Sequence, residues 1–290
     1  MIDTPARSPA GATSVWMQEL SWDRIADHLT RDDVALVPIG ATEQHGRHAP
    51  MLLDTGWAIV VAEEAARRAG CLVTPPLHFG WSSGHMAYAG CIGLRAETLT
   101  AVAIDIAESL LAHGFRRVIF VNGNRVANLP PLEIAATKLR IQTGAAIAVA
   151  DCGLLAREEV AALCEGAPGA IGHVGETETS MILAYWPHLV DMSRAPGGFV
   201  ATRSPAETGR PRRGHGSIDP RLDGNSVYLP HTPQEFRART EARHGVDGDE
   251  SLATAEKGRA MVHAIAERLA GFIGELRAMP VEVRVPAYFA

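Results

Sequence analysis

Glu43 and His45 stand two apart in a polar stretch, ATEQHGRHAP, that follows a short apolar run closed by Gly40. On extended backbone, residues two apart point the same way. A carboxylate and an imidazole are thereby aimed at one spot, and Asp54 follows nine residues after His45. One imidazole with two carboxylates is a hard-to-borderline donor set suited to Zn²⁺ or Mn²⁺. A carboxylate between two ions can bridge them. A plainer reading stands beside this one: Asp54 as a helix N-cap, Glu43 and His45 as solvated loop side chains.

A second cluster, HVGETETS, carries His173, Glu176 and Glu178 within six residues at a loop-to-helix junction. Acidic residues also favour a helix N-terminus for its dipole alone. A third stretch, VNGNRVAN, ends an apolar run in Asn122-Gly123-Asn124, followed by Arg125. Turn formation by asparagine side chains also explains it. His85 lies alone in WSSGHMAYAG. No G-x-G-x-x-G or P-loop pattern is present, so dinucleotide and nucleotide chemistry have no anchor.

The elements that must position these residues alternate. Val34 to Ile39, Cys71 to Thr74, Arg117 to Val121 and Ala145 to Ala150 read as buried strands. Helices are predicted at about 22–29, 54–68, 98–113, 129–143, 154–165, 177–185 and 252–278, with Pro130 and Pro131 in a first turn. Strands spaced by helices predict an α/β fold, a three-layer α/β/α sandwich on a mostly parallel sheet. Ligands bind such sheets at the carboxyl ends of the strands, where the polar loops 40–54, 77–93 and 122–128 lie. Residues 191–250 are loop-rich and are expected to serve subunit contacts or cover the site, with His215 and His231 as surface histidines.

The chain has 290 residues, a formal charge of −6 and 21% charged residues. Its pI of about 6.1 gives no basis for nucleic-acid binding, and Arg212-Arg213 and similar pairs read as surface charge. Four cysteines without a C-x-x-C pair fit a reducing compartment. With no signal-peptide pattern and no apolar run of membrane length, the expectation is a cytoplasmic protein without membrane partners. Residues 1–14 are expected to form a flexible tail and 15–290 a single hydrolase domain.

These motifs, in this order, resemble the creatininase family. Its G-[ST]-x-E-Q-H-G-x-H-x-P…D signature is matched by GATEQHGRHAPMLLD, its later histidine segment by GWSSGHMAYAG, its N-G-H-G-G-N turn by NGNRVAN, and its H-A-G-x-x-E-T-S segment by HVGETETS. GVDGDESLATAEKG matches a late family stretch. The resemblance implies an oligomeric (hexameric) α/β/α hydrolase with one or two divalent ions, Zn or Mn, opening a small cyclic amide. It implies Glu43, His45, Asp54, Asn124 and Glu178 as metal ligands, His173 and Glu176 as proton-handling residues, and Ser83, His85, Asn122 and Arg125 against the substrate. His173 is expected to donate a proton with an ordinary pKa near about 6.5. At Asn124 the family carries a metal-binding His, so a weaker site, a single ion or an anion-binding Arg125 are each open. Hydrolysis of a C–C bond in a cyclic diketone, such as an oxidised inositol ring, and a metal-impaired binding subunit are the alternatives.

Overall fold

The computed structural model describes residues 14–167, 170–198 and 230–285. The N-terminal tail (1–13), Arg212-Arg213, His215 and most of the central loop-rich region lie outside the described residues. In chain order the elements are α1 (Trp22–Leu29), β1 (Val34–Ile39), α2 (Leu53–Ala69), β2 (Leu72–Val73), α3 (Ala96–Ala112), β3 (Arg117–Asn122), α4 (Arg125–Thr143), β4 (Ala146–Asp151), α5 (Arg157–Leu163), α6 (Glu176–Tyr185), α7 (Pro233–Thr240) and α8 (Ala255–Ala278).

The four strands form one parallel sheet in the order β2-β1-β3-β4. Alternate residues of each strand serve opposite cores, because side chains alternate across a pleated strand. Val34, Leu36, Ile119 and Val121 pack against α2, α6 and α8. Ala35, Val37, Val118 and Phe120 pack against α3 and α4. Both faces are therefore covered, which is why the strands read as unbroken apolar runs. This is the α/β sandwich expected from the alternation of elements. Each fully buried side chain such as Phe120 or Leu36 contributes about 1.5–3 kcal/mol.

The sheet order places a topological switch between β1 and β3. The chain leaves β1 through α2 on one face and leaves β3 through α4 on the other. Two glycines let the first turn of α2 lie against both strand ends. A Cβ on Gly40 would meet Thr55 Cα at 2.3 Å, and one on Gly123 would meet the Asp54 carbonyl at 1.9 Å.

Six of the seven expected helix starts are displaced, by one to four residues, and two of these bear on the site. The helix placed at 129 begins at Arg125, because Asn124 accepts a hydrogen bond from Ala127 N and caps it. Pro130 and Pro131 consequently lie inside the helix rather than in its first turn. The helix placed at Asp54 begins at Leu53. Asp54 is thus not an N-cap, and its carboxylate is turned to side chains.

Candidate metal centre

Beyond β1 the backbone carries Glu43, Gln44 and His45, all buried, into the switch point. His45 is fully enclosed. Its Nδ1 sits 3.0 Å from the Glu43 carbonyl and its Nε2 3.2 Å from Asp54 Oδ1. A carbonyl only accepts, so we place one proton on Nδ1. Burial opposes charge on His45, but Asp54, Glu178 and Glu43 together overcome it and raise its pKa to about 9.

Glu43 is the most strained charge of the group. Burial first, then the Asp54 carboxylate, push its pKa well above the ordinary value; His45 and Ser82 offset part of this. Its Oε1 lies 3.4 Å from His85 Nε2. Its Oε2 is buried without a hydrogen-bond partner. Glu178, on the first turn of α6, accepts from Val174 N at 2.6 Å. Burial raises its pKa to about 7 against the pull of His45. Val174 takes a left-handed backbone, φ 57°, which a β-branched residue rarely adopts; this turn aims His173 and Glu178 together.

His173, His85 and His45 form a ladder of rings, with centroids 4.5 Å apart for His85–His173 and 4.7 Å for His45–His173. Phe236 of α7 closes it, 4.5 Å from His85. His173 Nε2 lies 2.8 Å from the Gln44 carbonyl and donates to it. Burial, then His85 and His45, hold His173 well below the usual histidine range. The expectation of an ordinary pKa is therefore corrected: His173 is a neutral imidazole. Burial likewise lowers His85 to about 4.

The structure brings Glu43, His45, Asp54, Glu178, His85, His173 and Asn124 together, and separates others from them. Glu176 lies on the same helix turn as Glu178, but its carboxylate faces the other way. It pairs with Lys257 at 2.5 Å and accepts from Glu165 N. The structure gives it an anchoring ion pair rather than a place among the histidines. Ser83 is exposed; its neighbour Ser82 is the buried one, lying beside Glu43. Asn122 spends its side chain on Asn124 and on Asp151, to which its Nδ2 donates at 2.9 Å. Arg125 interacts electrostatically with Asp151 and Arg157. Asn124 directs its amide nitrogen, not its oxygen, at Asp54 Oδ2, at 2.9 Å.

Gln44 and His48 were not among the expected residues. Gln44 Nε2 reaches Gly245 O at 3.0 Å and His85 Nδ1 at 3.2 Å, tying the β1 loop to the late GVDGDE segment. His48 is buried against Thr179, 3.4 Å away, and burial lowers its pKa to about 4.

The donor chemistry fits a divalent cation. Three carboxylates crowd one imidazole, and an orphaned buried oxygen of Glu43 sits among them. Donor atoms of Glu43, His45 and His173 lie within 4.8 Å of one another. Among the described residues, no helix is long and apolar enough to cross a membrane.

A family model described as creatinine amidohydrolase matches residues 18–273. Creatinine amidohydrolase of Pseudomonas putida is 33% identical over 207 residues, 66% of this chain and 80% of that protein. The 3-dehydro-scyllo-inosose hydrolase of Thermotoga maritima is 27% identical over 279 residues, 91% of this chain and 84% of that protein. A crystal structure of creatinine amidohydrolase covers 93% of this chain and all of its own, with 28% identity and a TM-score of 0.72. Two further creatininase structures, a zinc–zinc form of a mutant and a manganese form, each show 28% identity and a TM-score of 0.70 over 91% of this chain and 98% of theirs.

Proposed function

The chain belongs to the creatininase family, and from that premise we propose that it is a metal-dependent hydrolase acting on a carbonyl group of a small cyclic substrate, a cyclic amide first. The observation that carries this is the buried cluster of Glu43, His45, Asp54 and Glu178, whose crowded carboxylates call for a cation. Zn²⁺ or Mn²⁺ is the ion suggested by the forms in which related creatininase structures are found. Held by these residues, it would supply Lewis acidity and lower the pKa of water from about 15.7 toward about 7.

The chain's own residues do the rest. Phe236 and the histidine ladder exclude water from one side of the centre. His173, neutral at rest, accepts a proton from the attacking water and returns it to the leaving atom. The proton on its Nε2 stays with the Gln44 carbonyl, which fixes the ring. In an amide, the C–N bond breaks, the water oxygen stays on the carbonyl carbon and the nitrogen takes the proton.

A second reading, hydrolysis of a C–C bond in a cyclic diketone, is favoured by likeness to the Thermotoga hydrolase over 91% of this chain. There the leaving carbon departs as an enolate and takes the proton instead. The test is turnover of creatinine, small lactams and ring diketones by protein stripped of metal and then reloaded with Zn²⁺ or Mn²⁺. Metal-restored opening of a lactam supports the first reading, and opening of diketones alone supports the second. No turnover of any ring by the loaded protein points to a binding subunit. We also propose a homo-oligomer, which sedimentation of the intact chain tests.

A further inference from the structure

We propose that the centre holds one divalent cation rather than two, and that Asn124 is the residue that excludes the second. This rests on the metal-centre reading above. Asn124 is pinned at both ends of its side chain. Its Oδ1 accepts from Ala127 N at 3.2 Å and so caps α4. Its Nδ2 donates to Asp54 Oδ2 at 2.9 Å. The backbone is held as well: Asn124 N donates to Asn122 Oδ1 at 3.1 Å, and Asn122 Nδ2 donates to Asn124 O at 2.9 Å.

The orientation of the amide follows from chemistry. Ala127 N–H can only donate, so the group facing it must be the oxygen. Turning the amide over would set two donors against each other and lose the helix cap. The amide oxygen is therefore turned to the helix start, and the Nδ2 hydrogens stand beside Asp54 instead. A cation on that side would meet the positive end of a dipole.

Asp54 consequently has two unlike oxygens. Oδ1 faces His45 Nε2 at 3.2 Å, within the acidic cluster. Oδ2 faces an amide donor. A carboxylate that bridges two ions must offer an oxygen to each, and the amide hydrogens of Asn124 lie on the Oδ2 side of Asp54. Glu43, His45, Asp54 Oδ1 and Glu178 remain for a single ion.

The test uses the full, tag-free chain, stripped of metal and dialysed against Mn²⁺, with metal content and low-temperature electron paramagnetic resonance read together. The parent is expected to saturate at one equivalent with the six-line signal of an isolated ion. Asn124→His is expected to take two equivalents and show an exchange-coupled signal. Asn124→Asp keeps the cap, since Asp caps as well as Asn, and replaces the donor by an acceptor; it is also expected to reach two. Should Asn124→His fail to fold by circular dichroism, Asn124→Asp decides. A parent with two coupled ions overturns the inference and leaves the metal reading intact. A parent with no bound ion overturns the metal reading and the inference with it. Folded variants that stay at one equivalent remove Asn124 as the cause.

Discussion

The two ends of the sheet treat buried charge in opposite ways. At the amino end of β3, Arg117 is saturated. It grips Asp33 through both carboxylate oxygens, at 2.8 and 2.5 Å, and donates to the carbonyls of Leu276, Arg277 and Met279. Beside it Arg277 meets Asp32 at 2.8 Å. At the carboxyl end, Glu43, Asp54 and Glu178 surround one imidazole and together raise its pKa to about 9. Matched charge closes a structure, whereas mismatched buried charge is tolerated where a ligand completes it.

The sharpest way to break this comparison is Glu43→Gln. Losing the metal forfeits several kcal/mol of transition-state stabilisation, a fall of about 10³-fold or more in kcat/KM. The metal-free variant is nonetheless expected to melt no lower than the metal-free parent, since burial and Asp54 already disfavour a charge on Glu43. Paired activity assays and thermal melts check this. A variant that melts lower without metal would show that Glu43 is a structural charge like Asp33.

Arg117→Ala is expected to do the reverse. Leaving Asp33 without its partner costs about 3 kcal/mol, lowering Tm by roughly 6–12 °C, while the metal content of the folded protein stays that of the parent. Calorimetry with elemental analysis reads both. An intact Tm with lost metal would erase the distinction between the two ends.

Part of this contrast was legible in the residues alone. The apolar runs at 34–39 and 117–121 named the central strands because both faces of the sheet are covered. Glu43, His45 and Asp54 were marked by type and spacing. The roles of Glu176 and Glu178 were not separable by composition. Residues two apart on a helix lie about 200° apart, so only one can face the site, and the packing of Lys257 from α8 decides which. Gln44 carried no ionisable signal. Its work depends on Gly245 and His173, far along the chain and close only once the sheet forms. Pro130 and Pro131 misplaced the start of α4, because the cap at Asn124 fixes it earlier.

A smaller effect follows from proton linkage. Glu178 titrates near about 7 and His45 near about 9 in the folded chain, both above their ordinary values. The folded, metal-free state therefore binds more protons than the unfolded one. Stability then falls as pH rises. His85 and His48, both lowered to about 4, work in the opposite sense, but only below about pH 6.5. Between pH 6.5 and 9 the metal-free protein should lose on the order of 1 kcal/mol per pH unit. Metal bound by these groups would replace those protons and flatten the slope. Thermal melts across this range, with chelator and with Mn²⁺, compare the two. Parallel slopes would mean that the metal does not occupy these groups.

The smallest expected effect tests the boundary of the centre. Glu176 is fully buried, yet it is matched: Lys257 reaches it at 2.5 Å and Glu165 N donates to it. It belongs with Arg117 and Asp33 in kind, though it sits on the same helix turn as Glu178. Glu176→Gln keeps the side-chain shape and loses a charge-assisted bond, costing about 1–2 kcal/mol. Lys257 retains Glu165, 3.4 Å away, which limits the loss. The variant should melt a few degrees lower with kcat and metal content unchanged. The decisive reading is the split between the two. A normal Tm with a collapsed kcat would put the Glu176 carboxylate in the chemistry, and matched charge would no longer distinguish scaffold from site.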